Sequence, residues 1–131
     1  MYQFVTSVRL HDTDAAGLLF FANQFKMAHD CYESFLYDNG LSFLTILAER
    51  DYLLAIVHAE ADFTKTLAVG QELTIEMKTS RIGNTSFTLG YRILSDEGEV
   101  GTVSTVHVCV DVDTGRKRAL PEELVEVLEE L

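Results

Sequence analysis

Apolar residues recur at helical spacing over residues 23–38, and this pattern predicts one long helix. Asn23 is suited to cap the start of this helix, and the pair Asn39-Gly40 is suited to end it. Before the helix, residues 2–11 alternate loosely and predict a strand. Its apolar side chains on one face are those of Phe4, Val8 and Leu10.

Beyond residue 50 the period changes to two, which predicts four consecutive strands, with hairpin turns at residues 81–85 and 95–98. In the first strand, Leu54, Ile56 and His58 fall on one face, whereas Ala59 and Phe63 fall on the other. Consecutive hairpins form an antiparallel sheet, and the apolar stripe of the long helix must pack on one face of it. The predicted fold class is therefore α+β, with an antiparallel sheet wrapped around one long central helix. A short second helix is predicted over residues 42–50.

Length and composition favour a single domain over residues 1–131. Hydrophobic residues make up 47% of the chain and charged residues 24%, which is ordinary for a folded protein. No apolar run reaches the roughly 18 residues of a membrane span, and the first residues lack the layout of a signal peptide. A net charge of −11 argues against nucleic-acid binding, because such binding depends on neutralising phosphates with Lys and Arg. We therefore expect a cytoplasmic protein with no nucleic-acid or membrane partner.

The segment Asp12-Thr13-Asp14-Ala15-Ala16-Gly17 places two carboxylates in a loop shortly before the long helix. A helix start presents unpaired N–H groups and partial positive charge, which can stabilise a developing oxyanion. A carboxylate beside it can act as a nucleophile or as a general base. The same residue types also form ordinary turns and caps, so the residues alone leave both interpretations open.

Other polar residues give weaker indications. His11, Asp12 and Asp14 are all possible ligands of a divalent ion, but their spacing matches no specific site, so no metal is predicted. His58 shares its predicted strand face with apolar residues and is a candidate for lining a substrate pocket. The chain carries no serine-hydrolase motif, phosphate-binding loop or dinucleotide fingerprint.

The stretch from Val8 to Phe21 resembles the active-site signature of hotdog-fold acyl-CoA thioesterases of the 4-hydroxybenzoyl-CoA thioesterase type. Most of the chain fits the layout of that family. Within it, the chain is most similar to the 1,4-dihydroxy-2-naphthoyl-CoA thioesterases of quinone biosynthesis. This closer similarity is carried by Asp12-Thr13-Asp14, Asn23-Gln24-Phe25, residues 29–36, Val57-His58-Ala59 and Asp62-Phe63.

The resemblance implies a hydrolase of acyl-CoA, in which coenzyme A is part of the substrate and no cofactor is needed. The family's catalytic carboxylate maps to Asp14, which attacks the thioester carbonyl or activates water to do so. The oxyanion donor maps to the backbone N–H of Phe21. The Tol–Pal-associated branch of the family carries a histidine at this position, so the short-chain substrates of that branch are not favoured here. Phe20, Phe21 and Phe25 suit an aromatic acyl group instead, and Gly17 of the signature is assigned to the same substrate site.

The resemblance also implies a homodimer or homotetramer whose subunits join their sheets edge to edge, with sites at the interface. We expect the strand over residues 100–112 to form that edge, because an unpaired edge strand would otherwise promote aggregation. The phosphates of coenzyme A need basic partners, for which Arg81, Arg116 and Lys117 are predicted.

Two other functions stay open as alternatives. One is a non-catalytic protein that binds acyl-CoA or an acyl carrier, and the other is a thioesterase for short aliphatic acyl-CoA. A dehydratase of this fold usually relies on a histidine, and no histidine here matches its motif.

Overall fold

A computed structural model describes residues 1–49 and 51–131 of the chain. The predicted long helix and the four later strands are confirmed, whereas the predicted end of the second helix at Arg50 lies outside the described residues. The helices and strands follow one another in the order β1 (Tyr2–Ser7), α1 (Asn23–Asp38), α2 (Phe43–Glu49), β2 (Tyr52–Phe63), β3 (Glu72–Ile82), β4 (Ser86–Ser95), β5 (Gly98–Asp111) and α3 (Glu122–Glu129).

The five strands form one antiparallel sheet in the order β1-β3-β4-β5-β2. Strand β5 pairs with β4 on one side and with β2 on the other, so the prediction that it forms an edge is wrong. Residues 64–71 carry the chain from β2 across to β3, which pairs with β1 and β4 instead of with β2. The two edge strands are therefore β1 and β2.

Helix α1 packs across one face of the sheet. Its fully buried residues recur every three or four positions, as the sequence pattern predicts, and they include Ala28, Cys31 and Leu36. Burying a Leu-sized side chain contributes about 1.5–3 kcal/mol, so this stripe holds the helix on the sheet. The helix ends at Asn39, whose side-chain amide donates to the carbonyl of Phe35 at 2.8 Å. The stripe packs against inward side chains of the central strands, namely Ile75, Met77, Phe87, Leu89, Tyr91 and Ile93.

Strand β1 is shorter than the alternation predicts. It stops at Ser7, and Leu10–Asp12 form a single 3-10 turn. The carboxylate of Asp12 accepts a hydrogen bond from the backbone N–H of Arg9 at 2.9 Å, which folds the chain back at this point. Leu10 is consequently 78% exposed, so the prediction that it shares a face with Phe4 and Val8 is wrong.

A β-bulge at Val57 changes which residues of β2 face α1. The pairing of β2 with β5 skips this residue. Ile56 before the bulge and Ala59 after it therefore line the same pocket beside α1, although the alternation puts them on opposite faces. His58 lies instead on the outer face of the sheet with Glu60, whose carboxylate is 3.9 Å from its Nε2 atom.

A buried histidine lies between α1 and the centre of the sheet. His107 is 1% exposed, and its ring stacks on Phe87 with the ring centres 4.7 Å apart. The Nε2 atom is 2.8 Å from the hydroxyl oxygen of Thr105. Burial lowers the pKa of His107 to about 4, because the charged ring would lose its hydration, and His29 adds a smaller effect in the same direction.

We expect His107 to make the free energy of unfolding depend on pH. The unfolded chain protonates this histidine near pH 6.5, whereas the folded chain does so only near pH 4. Between these values the unfolded state binds more protons, so stability falls as the pH is lowered through this window, by up to roughly 3 kcal/mol.

Urea unfolding of the wild type and of His107→Gln, at about pH 7 and about pH 4.5, measures this contribution. The wild type should lose more stability between the two conditions than the variant does. An equal loss in both proteins would contradict the assignment.

Candidate active site

Asp14 lies in a tight loop between β1 and α1. Its backbone N–H donates to the carbonyl of Leu18 at 2.8 Å, and the N–H of Gly17 donates to the carbonyl of Asp14 at 3.0 Å. Gly17 has a φ of +75°, a left-handed conformation that favours glycine. Oδ1 of Asp14 accepts from the N–H groups of Ala16 at 2.9 Å and Leu18 at 3.4 Å. Its Oδ2 atom has no partner within residues 1–49 and 51–131, so one carboxylate oxygen is left for a ligand.

The two carboxylates of the loop have different environments. Asp12 is 2% exposed, and its side chain accepts from the N–H of Arg9. Its backbone carbonyl accepts from the N–H of Phe20 at 2.9 Å and from the side-chain amide of Asn23 at 2.8 Å. Asn23 is therefore the first residue of α1, and its side chain holds the loop against the helix by a hydrogen bond. The prediction that Asn23 caps α1 is wrong. Asp12 stabilises the loop, whereas Asp14 is the carboxylate available for chemistry.

The backbone N–H of Phe21 lies in the turn that leads into α1. In this turn the N–H of Asn23 donates to the carbonyl of Phe20 at 2.8 Å, and the N–H of Gln24 donates to the carbonyl of Phe21 at 3.2 Å. The N–H of Phe21 itself donates to no group in the part of the chain that the structure describes. An unpaired N–H at a helix start is the kind of donor that stabilises an oxyanion.

Asp14 and Phe21 line one cleft, which has a volume of about 340 Å³. The ring of Phe21 lies 4.8 Å from that of Phe20 and 6.2 Å from that of Phe63, so three aromatic side chains form a cluster beside the carboxylate. All three are exposed. The cleft is completed by Leu18, Leu19, Gln24, Lys65, Thr66 and Leu67.

Gln24 is a buried residue of the cleft that the sequence analysis missed. Its side-chain amide donates to the backbone carbonyls of Asp62 at 3.0 Å and Thr102 at 3.1 Å, which ties the start of α1 to β2 and β5. Gly101 leaves room for this contact, because a Cβ atom there would lie 2.6 Å from the Gln24 Nε2 atom. The available signal was a polar residue in the apolar stripe of the helix, one turn before Ala28.

A second pocket, of about 310 Å³, adjoins the cleft along α1. Phe25, which lines this pocket, directly follows Gln24 of the cleft in the first turn of α1. We call the cleft and this pocket together the α1–β2 groove, because both lie between the helix and the edge strand. The second pocket is lined by Phe25, Lys26, His29, Ile56, Ala59, Tyr91 and Thr105.

The structure brings together some of the predicted substrate residues and not others. Phe20 and Phe21 line the cleft, and Phe25 lines the adjoining pocket. Gly17 shapes the loop and is not among the lining residues. His58 lies on the outer face of the sheet, away from the groove.

The predicted phosphate-binding residues lie far from the cleft within one chain. The backbone of Lys117 forms a β-bridge with Val110 of β5. Val110 is nine residues along β5 from Gly101, which is paired with Phe63 beside the cleft. At about 3.3 Å per residue, these two positions are about 30 Å apart. Arg116 lies at the same far end, and Arg81 is about halfway along. One chain alone therefore does not place these residues beside Asp14.

Within residues 1–49 and 51–131, no group of three or more His, Cys, Asp or Glu side chains is arranged to hold a metal ion. His11, considered above as a ligand, is exposed, and its Nε2 atom lies 3.6 Å from Asp12. None of the helices in the described ranges is both long enough and apolar enough to cross a membrane.

The fold and the site define a class of protein. A sheet wrapped around one long helix, with a carboxylate loop just before that helix, is the hotdog architecture of thioesterases that the sequence predicted. The chain belongs to the Thioesterase-like superfamily, whose sequence profile matches residues 8–128.

Within this superfamily, the chain is similar to enzymes that act on one aromatic acyl-CoA. The 1,4-dihydroxy-2-naphthoyl-CoA hydrolase of Synechococcus elongatus is 33% identical over 129 residues, which cover 98% of this chain and 95% of the relative. The enzyme of the same name from Nostoc punctiforme is 34% identical over 128 residues, covering 98% of this chain and 86% of its own. The solved 1,4-dihydroxy-2-naphthoyl-CoA thioesterase from Synechocystis has a TM-score of 0.94 and 29% identity, covering 99% of this chain and 96% of its own. The resemblance predicted from the sequence is thereby confirmed.

Proposed function

We propose that this protein hydrolyses the thioester of an aromatic acyl-CoA, with 1,4-dihydroxy-2-naphthoyl-CoA as the specific substrate. One observation carries the proposal: Asp14, which has a free carboxylate oxygen, and Phe21, whose backbone N–H is unpaired in the described residues, line the same cleft. The relatives named for this hydrolysis support it, because they align with nearly the whole chain. The exposed aromatic cluster beside the carboxylate supports an aromatic acyl group.

The cleft supplies the two groups that thioester hydrolysis needs. The N–H of Phe21 donates to the carbonyl oxygen of the thioester and stabilises the negative charge that develops there. The carboxylate of Asp14 attacks the carbonyl carbon, or removes a proton from a water molecule that attacks it. The C–S bond breaks, and coenzyme A leaves as a thiolate that takes up a proton. If Asp14 is the nucleophile, water then cleaves the mixed anhydride, and in either case the free acid is released without a cofactor.

The α1–β2 groove gives the acyl group a place to bind. A thioester whose carbonyl oxygen contacts Phe21 directs its acyl group along the helix toward Phe25. Ile56 and Ala59 supply the apolar wall on the opposite side. A groove with apolar walls on both sides favours a flat ring system over a short aliphatic chain, because the ring buries more apolar surface.

We further infer that two copies pair antiparallel along β2 and that this pairing completes the site. The outer edge of β2 has no partner in the described part of the chain, and Leu53, Ile56 and Val57 on this strand are exposed. Exposed apolar edge strands are normally covered by another strand. A two-fold axis through the middle of β2 reverses the second copy, so Arg116 and Lys117 of the partner subunit approach the cleft. There they are placed to bind the phosphates of coenzyme A.

A homodimer is thus the proposed active unit, and a homotetramer would be a pair of such dimers. A role of Arg81 in holding the phosphates stays a prediction.

The cytoplasm is the proposed location, since Cys31 and Cys109 are free thiols, as is usual in reducing compartments.

A panel of thioesters tests the proposed reaction. Thiol release is measured with hydroxynaphthoyl-, benzoyl-, phenylacetyl- and straight-chain acyl-CoA, and with one acyl-carrier thioester. We expect kcat/KM for the hydroxynaphthoyl substrate to exceed that for the straight chains by about 100-fold or more. A preference for short aliphatic chains would contradict the proposal, as would tight binding of aromatic acyl-CoA without product.

A further inference from the structure

Two buried residues with hydroxyl groups line the pocket that contains Phe25, together with the polar residues Lys26 and His29. Thr105 and Tyr91 both line this pocket, and they are 7% and 3% exposed. Their oxygen atoms are 3.4 Å apart, which is longer than the roughly 2.5–3.0 Å of a good O–H···O hydrogen bond. No described residue lies within a shorter hydrogen-bond distance of the Tyr91 hydroxyl. The two groups therefore have unused hydrogen-bonding capacity.

The hydroxyl group of Thr105 is held in place by a buried histidine. The Thr105 oxygen is 2.8 Å from the Nε2 atom of His107, a buried ring that stacks on Phe87. A hydroxyl group donates one hydrogen bond and accepts up to two, so this contact leaves the Thr105 hydroxyl able to form a further hydrogen bond. Tyr91 is a neutral phenol at ordinary pH, and burial raises its pKa further above that range.

A small residue lies opposite Thr105 in the pocket. Ala59 is paired directly with Thr105 across the β2–β5 ladder, and its methyl group takes up less space there than a larger side chain would. Phe25 and Ile56 supply apolar walls, and Lys26 and His29 complete the lining. A pocket with apolar walls and a few fixed polar groups is the usual arrangement for binding a ring that carries a polar substituent.

We propose that Thr105 and Tyr91 bind a ring hydroxyl of the aromatic acyl group and thereby select hydroxylated over unsubstituted aromatic acyl-CoA. The substrate oxygen lies to one side of the pair, where it is within hydrogen-bond distance of both hydroxyl oxygens. This inference rests on the proposed function, because it concerns the acyl group of the same substrate. It makes Thr105 a specificity-determining residue, whereas Asp14 and the N–H of Phe21 act on the thioester.

Substitution of Thr105 tests the proposal. The kcat/KM values for 1,4-dihydroxy-2-naphthoyl-CoA and 2-naphthoyl-CoA are measured for the wild type, Thr105→Val and Thr105→Ser. We expect the wild type to prefer the hydroxylated substrate by about 100-fold or more, since a site that hydrogen-bonds a hydroxyl rejects the analogue lacking it. Thr105→Val should lower this ratio at least about tenfold, and Thr105→Ser should keep it within about threefold.

The ratio is chosen because a partly unfolded preparation lowers both rates equally and leaves the ratio unchanged. Thr88→Val is the matched control, since Thr88 lies on β4 between the buried residues Phe87 and Leu89 and so points to the other face of the sheet. The control should keep the wild-type ratio. An unchanged ratio in Thr105→Val, or no preference in the wild type, would overturn the proposal.

Binding of the free acids separates this proposal from the reaction itself. Calorimetric titration with 1,4-dihydroxy-2-naphthoate and 2-naphthoate requires no hydrolysis. We expect the hydroxylated acid to bind the wild type at least about tenfold more tightly than it binds Thr105→Val, with 2-naphthoate binding the two alike. That result without any thioester hydrolysis would support the hydroxyl site and refute the proposed reaction. Equal binding of both acids to both proteins would refute the hydroxyl site whatever the activity.

Discussion

Asp14→Asn is expected to lower kcat for aromatic acyl-CoA by about a thousandfold or more. An amide neither attacks the carbonyl carbon nor takes a proton from water at neutral pH. The fold should remain, because Asp14 is exposed and the Oδ1 atom of asparagine can still accept from the N–H groups of Ala16 and Leu18. The free energy of unfolding should therefore change by no more than about 0.5 kcal/mol. Steady-state thiol release and urea unfolding measure the two effects.

Asp12→Asn is the matched control for this experiment. Asp12 is buried, and its carboxylate accepts from the backbone N–H of Arg9 and lies 3.5 Å from the Nζ atom of Lys26. This variant should lose about 1–3 kcal/mol of stability, because a buried charge-assisted hydrogen bond is weakened. Its rate per folded molecule should stay close to that of the wild type. Wild-type turnover by Asp14→Asn would show that another group performs the chemistry.

Val57→Lys is expected to separate the proposed dimer. Val57 lies near the middle of β2, so a two-fold axis there brings residue 57 of both copies close together, and two lysines would repel each other. Juxtaposed like charges at an interface cost several kcal/mol, so the dissociation constant should rise about 100-fold or more. Activity should fall with the dimer population, because each cleft would lose the basic residues that the second copy brings.

Val5→Lys is the control for the second prediction. Val5 lies on β1, the opposite edge strand, and is 61% exposed, as is Val57. The control should keep the assembly and the activity of the wild type. Light scattering of the eluting protein gives the molar mass, which should be two or four times 14.7 kDa for the wild type and the control. A monomeric wild type, or a fully active monomeric Val57→Lys, would contradict the pairing along β2.

The parts of the fold that depend on local pattern could be predicted from the sequence. The spacing of apolar residues over Asn23–Asp38 and the Asn39-Gly40 pair define α1, because helix packing and helix ends depend on neighbouring residues. The alternation beyond residue 50 likewise defines four strands. The order of these strands could not be predicted, since β2 pairs with a strand more than 30 residues later. The bulge at Val57 also escaped prediction, because an extra residue leaves no mark in a loose alternation.

In the candidate site too, local sequence patterns could be predicted, whereas contacts between distant segments could not. The motif places two carboxylates before a helix, but only the folded loop shows that Asp12 is buried and Asp14 exposed. Gln24 interrupts the apolar stripe of the helix, but its partners could not be predicted because they are backbone carbonyls on distant strands. Tyr91 and Thr105 were overlooked for a similar reason, since they meet only when β4 and β5 lie side by side.

The central claim is that the N–H of Phe21 and the carboxylate of Asp14 hold the two ends of the thioester carbonyl. The most direct test is a crystal structure of Asp14→Asn with 1,4-dihydroxy-2-naphthoyl-CoA bound. We predict that the carbonyl oxygen lies about 2.7–3.1 Å from the backbone nitrogen of Phe21, with the side chain of residue 14 facing the carbonyl carbon. A thioester carbonyl bound away from Phe21, with residue 14 directed into bulk solvent, would contradict the claim.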